Sequence, residues 1–110
     1  MTFTIEHNTA FVYQNTSSVS NLIQEFELNA VILQSNHIIL CLEKEQDNTD
    51  ELLGLVSELS KNQKNINRSF VVVSSKFTAE AWPEDIALAP TQQEAMDIID
   101  MDDMQRDLGF

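Results

Sequence analysis

The residue that could most plainly take part in a chemical reaction is a threonine at the start of a predicted helix. Thr49 lies in "EKEQDNTDELLGLV", residues 43–56, where an acidic run turns into an apolar-periodic one. A hydroxyl at this position either caps the helix or accepts a phosphate from a kinase. Free N–H groups and the helix dipole stabilise a phosphate there, but the nearby carboxylates repel a dianion. The sequence therefore favours a cap, Thr49 or Asn48, with phosphorylation as the alternative. The candidate interaction surface around it comprises Asp47, Asn48, Asp50 and Glu51.

The two histidines and the single cysteine form no recognisable catalytic or metal-binding motif. His7 falls in a predicted loop and His37 at the edge of a predicted strand. Cys41 follows His37 by four residues, which is ~13 Å along a strand and too far for a Cys–His pair. The apolar run "HIILCL" instead indicates that Cys41 is a buried small hydrophobe. The sequence thus predicts no catalytic residue, no cofactor and no metal site.

The charge balance limits the classes of partner. The chain has 6 Lys and Arg against 18 Asp and Glu, a formal net charge of −12. Nucleic acids and anionic membranes both require basic surfaces, so neither is expected as a partner. No apolar run approaches the ~20 residues that span a bilayer, and no signal peptide is visible at the N-terminus. We expect a cytoplasmic protein whose partner is another protein.

Hydrophobic periodicity predicts the elements of the first half. Residues 2–6 and 10–14 alternate as the two strands of a hairpin. A helix capped by Ser17 or Ser18 follows and extends to about residue 29 or beyond. The stretch 30–35 fits either a helix end or a strand, and we prefer the helix end, with the next strand at 37–43.

The second half continues with alternating helices and strands. A helix is predicted at about 49–63, and Gly54 within it suggests close packing. The β-branched run 68–75 and the short segment 86–90 are predicted strands. A last helix starts at the capping box formed by Thr91 and Glu94, with Gly109 as its C′ residue. Alternation of this kind predicts one α/β domain over residues 1–110, with a mixed, mostly parallel sheet.

The last helix carries both apolar and acidic residues. Met96 and Ile99 are expected to pack on the sheet, whereas Met101, Met104 and Leu108 point elsewhere. This second apolar set is either a surface for a partner or a second copy, or the helix end folds back on its own domain. The acidic side chains form either a surface for a basic partner or a solvated face. They are Glu94, Asp97, Asp100, Asp102, Asp103 and Asp107.

The order of elements resembles that of a STAS domain, the fold of bacterial anti-sigma factor antagonists. The segment "IALAPTQQEAMDIIDMDDMQRDLGF", residues 86–110, resembles the C-terminus of a group of short STAS-like bacterial proteins. In STAS switches a kinase phosphorylates the serine of Asp-Ser-x-Gly, at the start of the helix after the third strand. The matching "NTDE" of 48–51 keeps only the hydroxyl, because Asn48, Thr49 and Glu51 replace the aspartate, serine and glycine.

Members of this group are often labelled ribonuclease Z. That enzyme is a two-zinc phosphodiesterase with an H-x-H-x-D-H run, whereas this chain has only His7 and His37, in no such run. Metal-assisted hydrolysis needs several ligands converging on an open site. The resemblance therefore implies a non-catalytic, regulatory protein–protein interaction domain. The alternatives are an anti-sigma antagonist that switches through Thr49, an adaptor of a neighbouring ribonuclease Z-like enzyme, and a metal-dependent nuclease.

Overall fold

The chain opens with a hairpin whose turn sets its register. A computed structural model describes residues 2–14, 18–42, 49–75, 82–83 and 85–109. At positions 34 and 49 it describes the backbone but not the side chain. Strands β1 (Thr2–Glu6) and β2 (Thr9–Tyr13) pair antiparallel. His7 and Asn8 between them have φ values of 49° and 67°, as the two central residues of a type I′ turn require. The second strand starts one residue earlier than predicted because this turn uses only two residues.

Three further strands extend the hairpin into one five-stranded sheet in the order β1-β2-β3-β4-β5. They are β3 (His37–Cys41), β4 (Phe70–Val73) and β5 (Ala87–Ala89). All neighbouring pairs from β2 to β5 are parallel. The predicted α/β class, with a mixed and mostly parallel sheet, is confirmed. Each of these strands is shorter than predicted, although backbone hydrogen bonds continue one residue beyond two of them, from Leu42 N–H to the Val73 carbonyl and from Ser74 N–H to the Ala89 carbonyl.

Helices α1 (Val19–Leu28), α2 (Ala30–Gln34) and α3 (Thr49–Asn65) follow the first strands. Ser18 caps α1, because its Oγ accepts the N–H of Asn21 at 3.3 Å. The helix breaks at Asn29, whose side-chain nitrogen donates to the Glu25 carbonyl at 2.8 Å. The short helix α2 then occupies the ambiguous stretch, so the preference for helix over strand is confirmed. Apolar side chains of these helices pack on one face of the sheet. That core includes Val19, Leu22, Phe26, Leu33, Leu52 and Val56, with Ala10, Val12, Ile38, Leu40, Phe70 and Val72 of the sheet.

Helix α4 (Gln92–Asp107) packs by itself on the opposite face. Right-handed crossovers between consecutive parallel strands place the connecting helices on one side, whereas α4 follows the last strand and crosses to the other. The Oγ of Thr91 accepts the N–H of Glu94 at 3.2 Å, and Gly109 has φ +82°, so Thr91 as the N-cap of α4 and Gly109 as its C′ residue are confirmed. The second core joins Phe11, Ile39, Cys41, Val71 and Ala89 of the sheet to Ala95 and Ile99 of α4.

Two packing predictions are wrong. Met96 is 41% exposed, although Ile99 is buried as expected. Ala95 takes the contact instead, because a helix turns ~100° per residue and Met96 falls beyond the sheet-facing side. On α3, a Cβ added to Gly54 would meet no atom within 4 Å. Gly54 therefore does not mark a close approach.

Among the described residues, no helix combines the length and the apolar character that crossing a bilayer requires.

Candidate functional site

A polar network lies where β3 and β4 begin, beneath the second half of α4. This polar network consists of His37, Ser69, Asp102, Asp103 and Arg106. The sheet supplies His37 as the first residue of β3 and Ser69 as the residue before β4. The remaining three members lie on one side of α4 because residues three and four apart share a helix face. The network thus joins β3, β4 and α4.

His37 lies at the centre of the network, at the start of β3 as the sequence predicted, and its side chain is buried. Its Nδ1 accepts the backbone N–H of Ser69 at 2.9 Å. Its Nε2 lies 3.2 Å from the Asp103 carboxylate. A ring that accepts at Nδ1 carries its proton at Nε2, which directs that proton to Asp103. Both nitrogens of the imidazole are therefore engaged.

The other members connect the serine to the helix. The Ser69 hydroxyl donates to Asp102 at 2.8 Å. Arg106 donates to the same hydroxyl at 3.1 Å and to Asp103 at 3.0 Å. Because Ser69 Oγ donates to Asp102 rather than to His37, the group lacks the serine-to-imidazole hydrogen bond that activates a nucleophile. The arrangement is that of a structural polar network.

Burial lowers the pKa of His37, and this cause is the largest. The neighbouring Asp103 carboxylate acts in the opposite direction, whereas the Arg106 and Arg68 guanidinium groups lower the pKa further. A neutral imidazole suits the hydrogen bond at Nδ1, because protonation of that nitrogen would remove the acceptor for Ser69 N–H. Burial and the hydrogen bond at Nδ1 therefore both favour the neutral imidazole.

A cavity of about 280 Å³ lies between α4 and the β1–β2 hairpin. We call it the acidic groove. Its lining residues are Glu6, His7, Thr9, Phe11, His37, Met96, Ile99, Asp100 and Asp103. Phe11 and Ile99 are buried and provide apolar surface, whereas Glu6 and Asp100 are exposed on opposite sides. The groove thus combines an apolar floor with carboxylates on both walls.

A second cavity of about 250 Å³ lies on the other side of the polar network. Lys64, Arg68 and Arg106 line it together with Asp85 and Asp102. Lys64 and Arg106 occupy the last turns of α3 and α4, where cations offset the negative end of the helix dipole. Helix ends therefore account for two of the three cations, and the third, Arg68, donates from Nε to the Ser35 carbonyl at 3.3 Å.

The apolar set predicted on the last helix is exposed. Met101, Met104 and Leu108 are 61%, 63% and 72% exposed, and we call these three residues the methionine stripe. Spacings of three and four residues place them on one side of the helix, roughly opposite Ala95 and Ile99, which face the sheet. The helix end therefore does not fold back over this stripe.

The surface predicted around Thr49 lies at the other end of the domain. Asp47 and Asn48 fall outside the described residues. Thr49 is the first residue of α3, and Asp50 and Glu51 are exposed in its first turn. The choice between Asn48 and Thr49 as the cap also depends on positions outside the described side chains. Helix α3 runs ~25 Å from that end of the sheet to the end that holds the polar network and the second half of α4. The surface predicted around Thr49 therefore does not meet the methionine stripe.

Sequence reasoning missed the polar network. His37 was recognisable only as a single histidine, and its partners Ser69 and Asp103 lie 32 and 66 positions away. No local spacing connects such residues. Only the sheet topology brings them together.

Within the described ranges, no group of three or more His, Cys, Asp and Glu side chains is arranged to hold a metal ion. The functional assignment depends on the geometry described above, because the chain matches no family model and no curated protein.

Proposed function

We propose that this chain is a non-catalytic protein–protein interaction domain with a regulatory role, resembling the STAS domains of anti-sigma factor antagonists. It acts in the cytoplasm on a protein partner and needs no cofactor. The observation that carries this proposal is the methionine stripe on the outer side of α4.

The stripe has the composition of a contact surface. Met101, Met104 and Leu108 are each more than half exposed on one side of a regular helix. Methionine is unbranched and polarisable, and it adapts to differently shaped partners. An apolar set of this kind on a helix surface is costly to leave in water and is typical of an interaction site.

The charge around the stripe indicates the chemistry of the partner. Asp97, Asp100 and Asp107 are exposed on the same helix. With a net charge of −12 over the chain, the surface attracts a basic protein and repels nucleic acid. The partner we propose therefore presents an apolar patch bordered by lysine or arginine.

The polar network supports a role without catalysis. A general base needs a ring nitrogen that is free to take a proton, and His37 uses Nδ1 to accept Ser69 N–H and Nε2 to contact Asp103. The only cysteine, Cys41, is buried among apolar side chains. Neither residue has the access that nucleophilic or acid–base chemistry requires.

The proposal is tested by affinity purification from the native host with a pair of matched double variants. Met101→Gln with Met104→Gln removes two exposed apolar side chains from the stripe. Leu28→Gln with Val31→Gln removes two others, 84% and 87% exposed, from α1 and α2. We expect the first variant to lose the main co-purifying protein by about tenfold or more, which corresponds to ~1.4 kcal/mol. Undiminished recovery with the first variant would contradict the proposal.

A phosphorylation switch through Thr49 is the second candidate, and the start of α3 at this residue supports it. Free backbone N–H groups at a helix start favour a phosphate, while Asp50 and Glu51 in the first turn disfavour it. An adaptor role beside a ribonuclease Z-like enzyme fits the same interaction proposal with a different partner. The identity of the co-purified protein separates these alternatives.

A further inference from the structure

The acidic groove exists because one helix cannot cover five strands. Four spacings of ~4.8 Å separate the outer strands, about 19 Å in total, whereas a helix is ~10 Å wide. Helix α4 contacts β3, β4 and β5. The hairpin side of the same face, which carries Phe11 and Thr9, is left beside the helix as an open groove.

The two walls of the groove carry like charges. Glu6 contributes a carboxylate from the hairpin, and Asp100 and Asp103 contribute two from α4. Asp103 contacts His37 and Arg106. The carboxylates of Glu6 and Asp100 have no hydrogen-bond or ion-pair partner among the residues that the structure describes. Within the described part of the chain, no lysine or arginine lines the groove, so no described cation neutralises these two charges from within it.

The size and the chemistry of the acidic groove together limit the class of group that it can bind. The volume of about 280 Å³ lies just below the range of small-molecule pockets, ~300–1,000 Å³. A long side chain fits this space better than a cofactor does. Phe11 and Ile99 form apolar floor that matches an aliphatic stem, and the carboxylates match a cationic head.

We propose that the acidic groove binds a lysine or arginine side chain of the protein partner. The stem lies over Phe11 and Ile99, and the charged head lies between Glu6 and Asp100. This inference rests on the proposed function, because it assumes a protein partner. The groove is within reach of the same partner, since Asp100 and Met104 are four residues apart on α4 and therefore neighbours on its surface.

The test uses N-butylguanidinium as a probe for an arginine side chain and uncharged N-butylurea as its control. Amide chemical shifts of the ¹⁵N-labelled chain are followed at low ionic strength, where the Debye length exceeds ~10 Å. We expect saturable shifts at Phe11, Ile99 and Asp100 with the guanidinium probe and none with the urea. Equal shifts with both probes would show apolar binding without charge recognition, and absence of shifts would refute the site.

Two double variants with the same net charge distinguish binding of the probe in the groove from its attraction to the overall negative charge of the protein. Glu6→Gln with Asp100→Asn changes both walls of the groove. Glu94→Gln with Asp97→Asn removes the same two charges from α4 outside its lining. We expect the groove variant to weaken the probe about tenfold or more and the control to weaken it less than twofold. Equal weakening by both would overturn the inference.

Failure of this inference is distinguishable from failure of the proposed function. If the probe does not bind but the Met101→Gln with Met104→Gln variant still loses its partner, the stripe is an interaction surface and the groove is not. If the probe binds but the stripe variant keeps its partner, the groove recognises cations independently of that surface.

Discussion

Replacement of His37 tests whether the polar network stabilises the fold. In His37→Leu, Ser69 N–H loses the acceptor that lies 2.9 Å away in a buried setting. An unsatisfied buried donor costs about 1–3 kcal/mol. The contact with Asp103 adds at most ~1 kcal/mol, because that carboxylate is 47% exposed and water replaces the imidazole. We expect His37→Leu to lower the free energy of unfolding by about 2–3 kcal/mol.

His37→Asn is the matched control. Asparagine Oδ1 is bonded to Cγ as histidine Nδ1 is, so it can accept the Ser69 N–H while the contact with Asp103 is lost. We expect a loss of about 1 kcal/mol, which includes the poorer strand propensity of asparagine.

Urea unfolding at pH 8, where the histidine is neutral in both states, measures the difference. With a denaturant dependence of about 1–3 kcal/mol per molar, the midpoint of His37→Leu should lie about 1 M below that of His37→Asn. Equal midpoints would refute the assignment of Nδ1 as the essential acceptor.

Three further predictions follow from the same structure. Because burial lowers the pKa of His37 in the folded state, the unfolded imidazole binds a proton as the pH falls through its ordinary pKa of about 6.5, whereas the folded one binds it only at a lower pH. Wild-type stability should therefore fall as pH drops below ~6.5, and His37→Leu should lack this component; pH-dependent urea midpoints check it. Gly54→Ala should raise the free energy of unfolding by about 0.5–1 kcal/mol, since the added Cβ meets no atom, and a lower thermal midpoint would contradict the open packing. If Thr49 has only a structural role at the start of α3, Thr49→Ala and Thr49→Glu should bind the partner equally. Opposite changes in affinity would indicate a phosphorylation switch.

The sheet and its helices could be predicted because their signals are local. The hydroxyl of Ser18 and the pair Thr91 and Glu94 mark helix starts by cap chemistry within a few residues. The continuous β-branched run before residue 74 marks β4 as a strand buried on both faces. Such features need no knowledge of the rest of the chain.

Features that depend on the arrangement of elements were not predictable. The exposure of Met96 depends on the rotation of α4 against the sheet, which periodicity defines only to within a residue. The burial of His37 depends on β3 being the central strand and on α4 crossing above it. The sequence predicted that the methionine stripe points away from the sheet-facing side of the last helix, but whether the helix end folds back over it was decided only by the exposure of its residues. The acidic groove follows only from the number of strands that α4 leaves uncovered.

The central claim is that α4 presents a surface to a protein partner. The most direct measurement places a photo-crosslinking amino acid at position 101 in living cells of the native host, with the same amino acid at position 31 as the control. Val31 is also exposed, but it lies on α2, on the other face of the sheet. We predict one dominant crosslinked protein from position 101 and none in common from position 31. Absence of a specific adduct at 101, or the same adducts from both positions, would contradict the account.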